Sequence, residues 1–297
     1  KTGVTVCLLF SIFIPIIAPL LDRPRNNILP KSLKLRVGQR FAILKETIDF
    51  LDANDIRYSI TSGTMLGAVR HQGFIPWDDD IDIGILRPDY DRMVEILKEK
   101  KQIGQLEAIG FELGNSLFPF VKIVNPDIYV KEEGTRDTQR LWIDIFPFDG
   151  MGKSVFRIKL LNTTVRPILK KLLWFANSEY YTSHPRNCRH IIWNYFWYGI
   201  SKLCSPEFFI RLLIRNCSGI KVSDSTYVED STWGTKAVPK EVFDEMREYR
   251  FETMTVKGFK DYDTYLKCIY GDYMTLPPEE KRVNHGIKPW RVNDYEK

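Results

Sequence analysis

Ser62-Gly63-Thr64-Met65-Leu66-Gly67-Ala68-Val69-Arg70-His71-Gln72-Gly73-Phe74-Ile75-Pro76-Trp77-Asp78-Asp79-Asp80-Ile81-Asp82-Ile83 is the stretch that decides how this chain is read. It sets a Gly-Thr pair ahead of a short helical pattern. It then places four carboxylates within the five residues Asp78–Asp82. Like charges packed this closely repel one another and raise one another's pKa values. A divalent cation is the usual agent that neutralises such a cluster.

Ile81, Ile83 and Ile85 alternate with Asp80, Asp82 and Gly84, the period of two of a half-buried strand. Asp80 and Asp82 are therefore expected on one face, about 7 Å apart along the backbone. Gly84, next on that face, is expected to leave room for a ligand. Gly63-Thr64 reads as a turn before a helical turn over Met65–Arg70, and free N–H groups at a helix N-terminus bind anions. A phosphate cradle beside a two-carboxylate metal site is a phosphoryl- or nucleotidyl-transfer constellation. The rival is a structural calcium loop, but calcium loops space their acids as D-x-D-x-D-G rather than on an apolar-alternating strand.

The run from Ser62 to Asp82 resembles the signature of the LicD family, which includes phosphorylcholine transferases and is related to fukutin and fukutin-related protein. A second block resembles the same family: Tyr265-Leu266-Lys267-Cys268-Ile269-Tyr270-Gly271-Asp272-Tyr273-Met274, then Leu276-Pro277-Pro278-Glu279-Glu280-Lys281-Arg282. The resemblance covers about residues 36–290. It implies a nucleotidyltransferase fold: a mixed sheet with flanking helices, a Gly-Ser/Thr motif on the first helix, an Asp-x-Asp on the next strand and a third carboxylate on a later strand. Asn284-His285-Gly286 departs from the family, whose members often carry paired histidines there, and leaves a role for His285 open.

Leu141-Trp142-Ile143-Asp144-Ile145-Phe146-Pro147 is a second strand of period two. Asp144 sits between two aromatics on the face opposite Leu141, Ile143 and Ile145. A lone acid there is costly unless paired or metal-bound. Asp144 is therefore taken as the third acid. Asp149 competes, but Asp149-Gly150 reads as a turn pair.

The remaining candidates each have a plain alternative. Asp78 and Asp79 contact a nucleotide, cap the strand or are simply solvated. Thr64 grips phosphate or caps a helix. Arg70 and His71 reach phosphate oxygens or are an ordinary surface arginine and loop histidine. Lys122, alone on an apolar strand, contacts a phosphate or snorkels from an edge. Tyr270 and Tyr273 form a wall for a base or a quaternary ammonium, or pack. His184, Cys188 and His190 have loose metal-like spacing without a fourth ligand and read as structural.

A chain of 297 residues, 44% hydrophobic and 27% charged, is ample for one large domain with accessory helices. Its net charge of +5 suits an anionic substrate or a membrane surface and is too weak and dispersed for nucleic acid. Five cysteines without a C-x-x-C pair argue for neither a disulfide scaffold nor a zinc finger. Val4–Leu21 is an uncharged, mostly apolar run of 18 residues, read as a membrane anchor, a signal sequence or a buried segment. The basic residues after it favour a cytoplasmic catalytic domain. A Golgi-lumenal domain is the alternative, and the sequons Asn162-Thr163-Thr164 and Asn216-Cys217-Ser218 decide little between them.

The layout is an α+β fold: a nucleotidyltransferase-like mixed sheet with flanking helices and an added helical subdomain. Residues 1–35 are the hydrophobic segment and basic linker, 36–150 the catalytic core, 151–220 a helical aromatic-rich subdomain, and 221–297 the remainder of the LicD-like domain. Within it, a helix is expected over 36–54, strands over 57–61 and 118–124, and a helix over 88–101. The aromatic subdomain is either a helical core or a surface that docks on lipid or a lipid-linked glycan. With the resemblance, the expectation is transfer of a phospho-substituent, phosphocholine first, from a CDP-activated donor to a sugar hydroxyl of a glycan or lipid-linked glycan, releasing CMP. Asp80, Asp82 and Asp144 would hold Mg²⁺ or Mn²⁺. Gly63, Thr64, Arg70, His71, Asp78 and Lys122 would bind substrate. A ribitol- or polyol-phosphate transferase, a transferase adding NMP to a small phosphate, and a non-catalytic scaffold are the alternatives.

Overall fold

The computed structural model describes residues 31–78, 80–131, 138–177, 188–234, 236–279, 282 and 288–291. Helix α1 (Lys31–Ala53) starts earlier than its apolar stripe predicts and buries Ile43, Leu44, Ile48 and Leu51. It ends where Asp55 turns into the left-handed region at φ 54° and Ile56 N–H reaches back to the Leu51 carbonyl. Strand β1 (Ser59–Ile60) and helix α2 (Ser62–His71) follow, then β2 (Asp82–Leu86) and α3 (Arg87–Lys100). Pro88 in the first turn of α3 sits where a missing N–H costs nothing. Next come β3 (Gln102–Ile103), β4 (Leu106–Ile109), β5 (Val121–Lys131) and β6 (Thr138–Gly152). The last two run longer than the sequence pattern indicates, because they pair along most of their length.

Four helices come next: α4 (Val155–Leu160), continued by a π-helical turn at Leu161–Val165, then α5 (Arg166–Asn177), α6 (Cys188–Ser201) and α7 (Pro206–Cys217). The chain then returns to strands: β7 (Tyr227–Asp230), β8 (Val238–Pro239), β9 (Met246–Phe251) and β10 (Met254–Phe259). Helix α8 (Tyr262–Tyr270) and strand β11 (Lys288–Arg291) complete the described elements.

The strands form one mixed sheet in the order β3-β4-β5-β6-β2-β1-β10-β9, with β11 on β5, and β7 between β6 and β8. β2 runs parallel to β6 and β1 parallel to β10; the other pairs are antiparallel. The fold is therefore α+β with a mixed sheet. Its main core draws on α1, α2, α3, α8 and both the early and the late strands. A second apolar cluster, built on Leu169, Leu172, Leu173, Phe209, Ile210, Leu213 and Cys217, lies among α5, α6 and α7.

Two local expectations are overturned. Asp149-Gly150 is not a turn: both residues continue β6, opposite Glu229 and Val228 of β7. Asp149 is fully buried there and accepts from Arg87 Nε and Nη2 at 2.7 and 3.1 Å, so pairing with a guanidinium overrides the turn preference of Asp-Gly. Gly84 does not open space for a ligand. A Cβ there would meet Phe148 and Thr61 side-chain atoms at 2.5 Å, so the glycine admits core packing.

The asparagines of both sequons hold one buried guanidinium. Arg166 donates from Nη1 to Asn162 Oδ1 at 3.0 Å and from Nε to Asn216 Oδ1 at 3.3 Å. Asn162 Nδ2 in turn donates to Glu229. A glycan on that nitrogen would break the contact. Among the described residues no helix is long and apolar enough to cross a membrane. Val4–Leu21, Asp79, His184 and Asn284-His285-Gly286 lie outside the described residues.

Candidate active site

The site is built where α2, the turn after it and the edge of β2 meet. α2 begins at Ser62, so Gly63 and Thr64 lie in its first turn and not ahead of it; Thr61 holds the N-cap position without a side-chain cap bond. Ser62 enters the helix through the left-handed region at φ 49°, and its N–H donates to the Tyr265 hydroxyl at 2.9 Å. The Thr64 hydroxyl is not a cap. It accepts from Asp82 N–H at 2.9 Å and donates to the Asp80 carbonyl at 3.5 Å, stitching α2 to the start of β2. Gly63 is required by closeness: a Cβ would stand 2.3 Å from Asp78 Oδ2. Asp78 thus brings a carboxylate against the first turn of α2, where the helix dipole favours negative charge.

The register then lines up the acids. β2 starts at Asp82, so Asp80 precedes the strand where the alternation placed it inside. Asp82 lies directly opposite Asp144 on β6, and Asp144 opposite Lys122 on β5, so three charged side chains share one face on three adjacent strands. Asp144 accepts from Trp142 Nε1 at 3.1 Å, and its other oxygen is 3.1 Å from Lys122 Nζ. Burial raises the Asp144 pKa, against the opposing pull of Lys122. Lys122 is not alone on its strand. Its buried ammonium also lies 4.3 Å from the Trp142 ring centroid and 4.4 Å from that of Phe118. Asp80 is held by Arg40, whose Nη1 donates at 2.8 Å from a guanidinium that is 1% exposed.

Asp82 is different. Burial pushes its pKa well above the carboxylate range, and Asp144, Asp80, Asp78 and Asp230 each push it further. The largest charged influences on it are therefore of its own sign. Asp230, at the end of β7, is a fifth acid that sequence reading missed. It accepts from Trp233 N–H and Gly234 N–H at 3.1 Å each and from Thr232 Oγ1 at 2.9 Å. The sequence signal was Asp-Ser-Thr-Trp-Gly, an acid two residues before a hydroxyl donor and three and four residues before its own backbone donors. Arg40 was hidden among the basic residues following Leu21, and only its burial sets it apart.

Arg70 and His71 close the far end of α2. Arg70 Nε donates to His71 Nε2 at 2.9 Å, and its Nη1 to the Tyr273 carbonyl at 2.8 Å. Burial and the neighbouring Arg70 lower the His71 pKa. Tyr273 is packed and donates its hydroxyl to Asp263 at 2.8 Å. Tyr270 has an exposed ring, whereas burial of its hydroxyl raises its pKa, assisted by Tyr265, Asp82 and Asp78. The Arg282 guanidinium lies 5.1 Å from the Trp77 ring centroid. The second motif block therefore folds over the first, although some two hundred residues separate them.

Among the described residues no three His, Cys, Asp or Glu side chains are drawn together as a group able to hold a metal ion. The donor chemistry nonetheless fits a hard divalent cation. The donors are carboxylates, and Asp82 is pushed most by like charge, from Asp144, Asp80, Asp78 and Asp230. Asp80 and Asp144 now spend an oxygen each on Arg40 and Lys122.

Residues 55–167 match the family model described as LicD/FKTN/FKRP, nucleotidyltransferase domain. The chain is 28% identical over 269 residues to the lipopolysaccharide cholinephosphotransferase LicD of Haemophilus influenzae, covering 86% of this chain and 97% of that protein. It is 31% identical over 114 residues to the human ribitol 5-phosphate transferase FKRP, covering 35% of this chain and 20% of that protein. An uncharacterized protein of Rickettsia typhi is 52% identical over 64 residues, 22% of this chain and 21% of its own length. The two motif blocks, the mixed sheet and these matches agree: residues 55–167 are similar to the nucleotidyltransferase domain of the LicD/FKTN/FKRP family.

Proposed function

We propose that this protein transfers a phospho-substituent, phosphocholine first, from a CDP-activated donor to a sugar hydroxyl of a glycan or lipid-linked glycan, releasing CMP. The chain is a transferase of phosphorus-containing groups. The observation that supports metal-assisted phosphoryl transfer is Asp82, set across adjacent strands from Asp144 and pushed chiefly by charge of its own sign.

Asp82, with Asp80 and Asp144, would hold Mg²⁺ or Mn²⁺. Such an ion supplies charge neutralisation on the phosphorus oxygens and the departing CMP. The chain's own residues do the rest. The first turn of α2, opened by Gly63, presents backbone N–H groups to the donor phosphates. Asp78 stands against that turn and would have to leave it for a phosphate to enter. Lys122 offers an ammonium beside the reacting phosphorus. Asp144 orients the acceptor hydroxyl and takes its proton as the acceptor oxygen–phosphorus bond forms and the bond to CMP breaks; a carboxyl whose pKa burial has raised accepts a proton more readily. Arg70 anchors the second motif block through the Tyr273 carbonyl, and His71 holds the Arg70 fork.

Phosphocholine stands first because the LicD match spans most of the chain, whereas the match to the ribitol phosphate transferase spans about a third. The test is thermal melting of the protein with CDP-choline, CDP-ribitol or CMP, with and without MgCl₂, in wild type and Asp82→Asn. Ligand at a hundred times its dissociation constant stabilises by about 2.7 kcal/mol. A Mg²⁺-dependent shift with CDP-choline that disappears in Asp82→Asn is expected. A larger shift with CDP-ribitol would move the reading to a polyol phosphate. No shift with any nucleotide would favour a non-catalytic scaffold.

A further inference from the structure

The face of the α5–α7 layer away from its own core is apolar and basic together. Trp174 on α5, Ile192, Trp193, Tyr195 and Phe196 on α6, and Phe208 on α7 are each at least half exposed. On α5 and α7 the inner faces, through Leu169, Leu173, Phe209 and Leu213, are buried, and on α6 Trp197 and Ile200 pack against them partly buried. Trp193 and Phe196 stack at 5.6 Å and make a continuous aromatic ledge. Large aromatic side chains left in water on neighbouring helices mark a surface that binds something.

Charge says what it binds. Residues 153–221 contain twelve lysines and arginines and two acids, a net charge of +10, so the rest of the chain, at +5 overall, carries −5. Arg166 is neutralised internally beside Glu229 and Arg211 packs on Phe111, but Lys202 is exposed 4.8 Å from the Tyr198 ring centroid and the Lys171 ammonium lies 5.8 Å from the Trp197 ring centroid, both among the aromatics of α5 and α6. Exposed Trp and Phe beside Lys and Arg, on helices too short or too charged to span a bilayer, suit the boundary between headgroups and acyl chains.

The layer also reaches the site. Lys170 of α5 donates to the Trp233 and Gly234 carbonyls at 3.0 and 2.9 Å, and those residues' N–H groups hold Asp230. Trp233 is 71% exposed and meets Phe120 edge-on. We infer that the outer face of α5–α7 docks the enzyme on an anionic lipid bilayer and brings lipid-borne acceptors to the carboxylate site. Docking stands whether or not the transferred group is phosphocholine.

The experiment is flotation of the full chain with vesicles of phosphatidylcholine alone or with 30% phosphatidylglycerol (about the anionic fraction at which basic surfaces bind well), at low and high salt. It is paired with tryptophan quenching by brominated acyl chains. No tryptophan lies in the apolar run Val4–Leu21, so quenching reports the folded part whatever that run does. Wild type should bind the anionic vesicles, lose binding in salt and be quenched. The variant Trp174→Ser/Trp193→Ser/Phe196→Ser should bind about tenfold more weakly and lose its quenching, while its thermal shift with nucleotide stays as in wild type. Equal quenching of variant and wild type, or binding indifferent to anionic lipid, would overturn the inference. So would a wild-type dimer that the same variant dissociates, which would assign the ledge to a second copy of the chain.

Discussion

Asp82 is held against its own electrostatics, by burial and by neighbouring acids. Its folded-state pKa is raised above the unfolded value, so its contribution to stability falls as pH rises from about 3.8 through the raised value. Each unit of displacement is worth about 1.4 kcal/mol. Asp82→Asn should therefore melt higher than wild type without divalent cation, by a margin that grows with pH across this window, while turnover is lost. Melting curves from pH 4 to 8 check both. A variant that melts lower at neutral pH would mean that Asp82 is not strained. Gly63→Ala carries a different signature. Its Cβ would displace Asp78 from α2, so it should lose activity, and adding Asp78→Ala should restore most of the lost stability. Double-mutant additivity would count against the contact.

At the scale of elements, α2 is fastened at both ends by the segment that follows β10. Tyr265 on α8 satisfies the Ser62 N–H, and Arg70 grips the Tyr273 carbonyl. Tyr265→Phe leaves a buried donor unsatisfied beside a left-handed serine and should cost about 1–3 kcal/mol in urea unfolding. Activity should fall further than stability does, because the same turn positions Gly63 and Thr64. β6 and α3 share the Arg87–Asp149 pair, which is buried on both sides. Asp149→Ala strands the guanidinium and should cost about 3–5 kcal/mol, read by the same denaturation. That residue shows why local pattern misled: Asp-Gly favours a turn by its own propensities, and a buried arginine sixty residues upstream reverses the balance.

At the scale of the whole molecule, the helical layer is tied to the sheet through Glu229, Arg166 and the two sequon asparagines. Burial pushes the Glu229 carboxyl up to about 7. Its stabilising contribution is present below about pH 4.5 and lost as pH rises through about 7. Glu229→Gln should flatten the slope of stability against pH over that range, and urea titrations at half-unit steps would measure it. An unchanged slope would move the titration elsewhere.

Much of the fold and part of the site were legible along the chain. The period-two isoleucines announced β2, the apolar alternation announced β6, and the two motif blocks announced the family. Asp80, Asp82 and Asp144 were readable as a set because acids on apolar-alternating segments are conspicuous against their neighbours. What the sequence by itself determined is local: which residues are strand, which are helix, and which charges stand out of pattern. Only the tertiary structure decided the register that sets Asp144 between Asp82 and Lys122, the partners Arg40 and Arg87, and the arrival of Asp230 from β7. It also decided that Gly84 packs a core while Gly63 admits a carboxylate. The reason is physical. Periodicity and propensity act between near neighbours, whereas pairing across strands, burial and the field of one charge on another depend on distances that exist only once the sheet has closed.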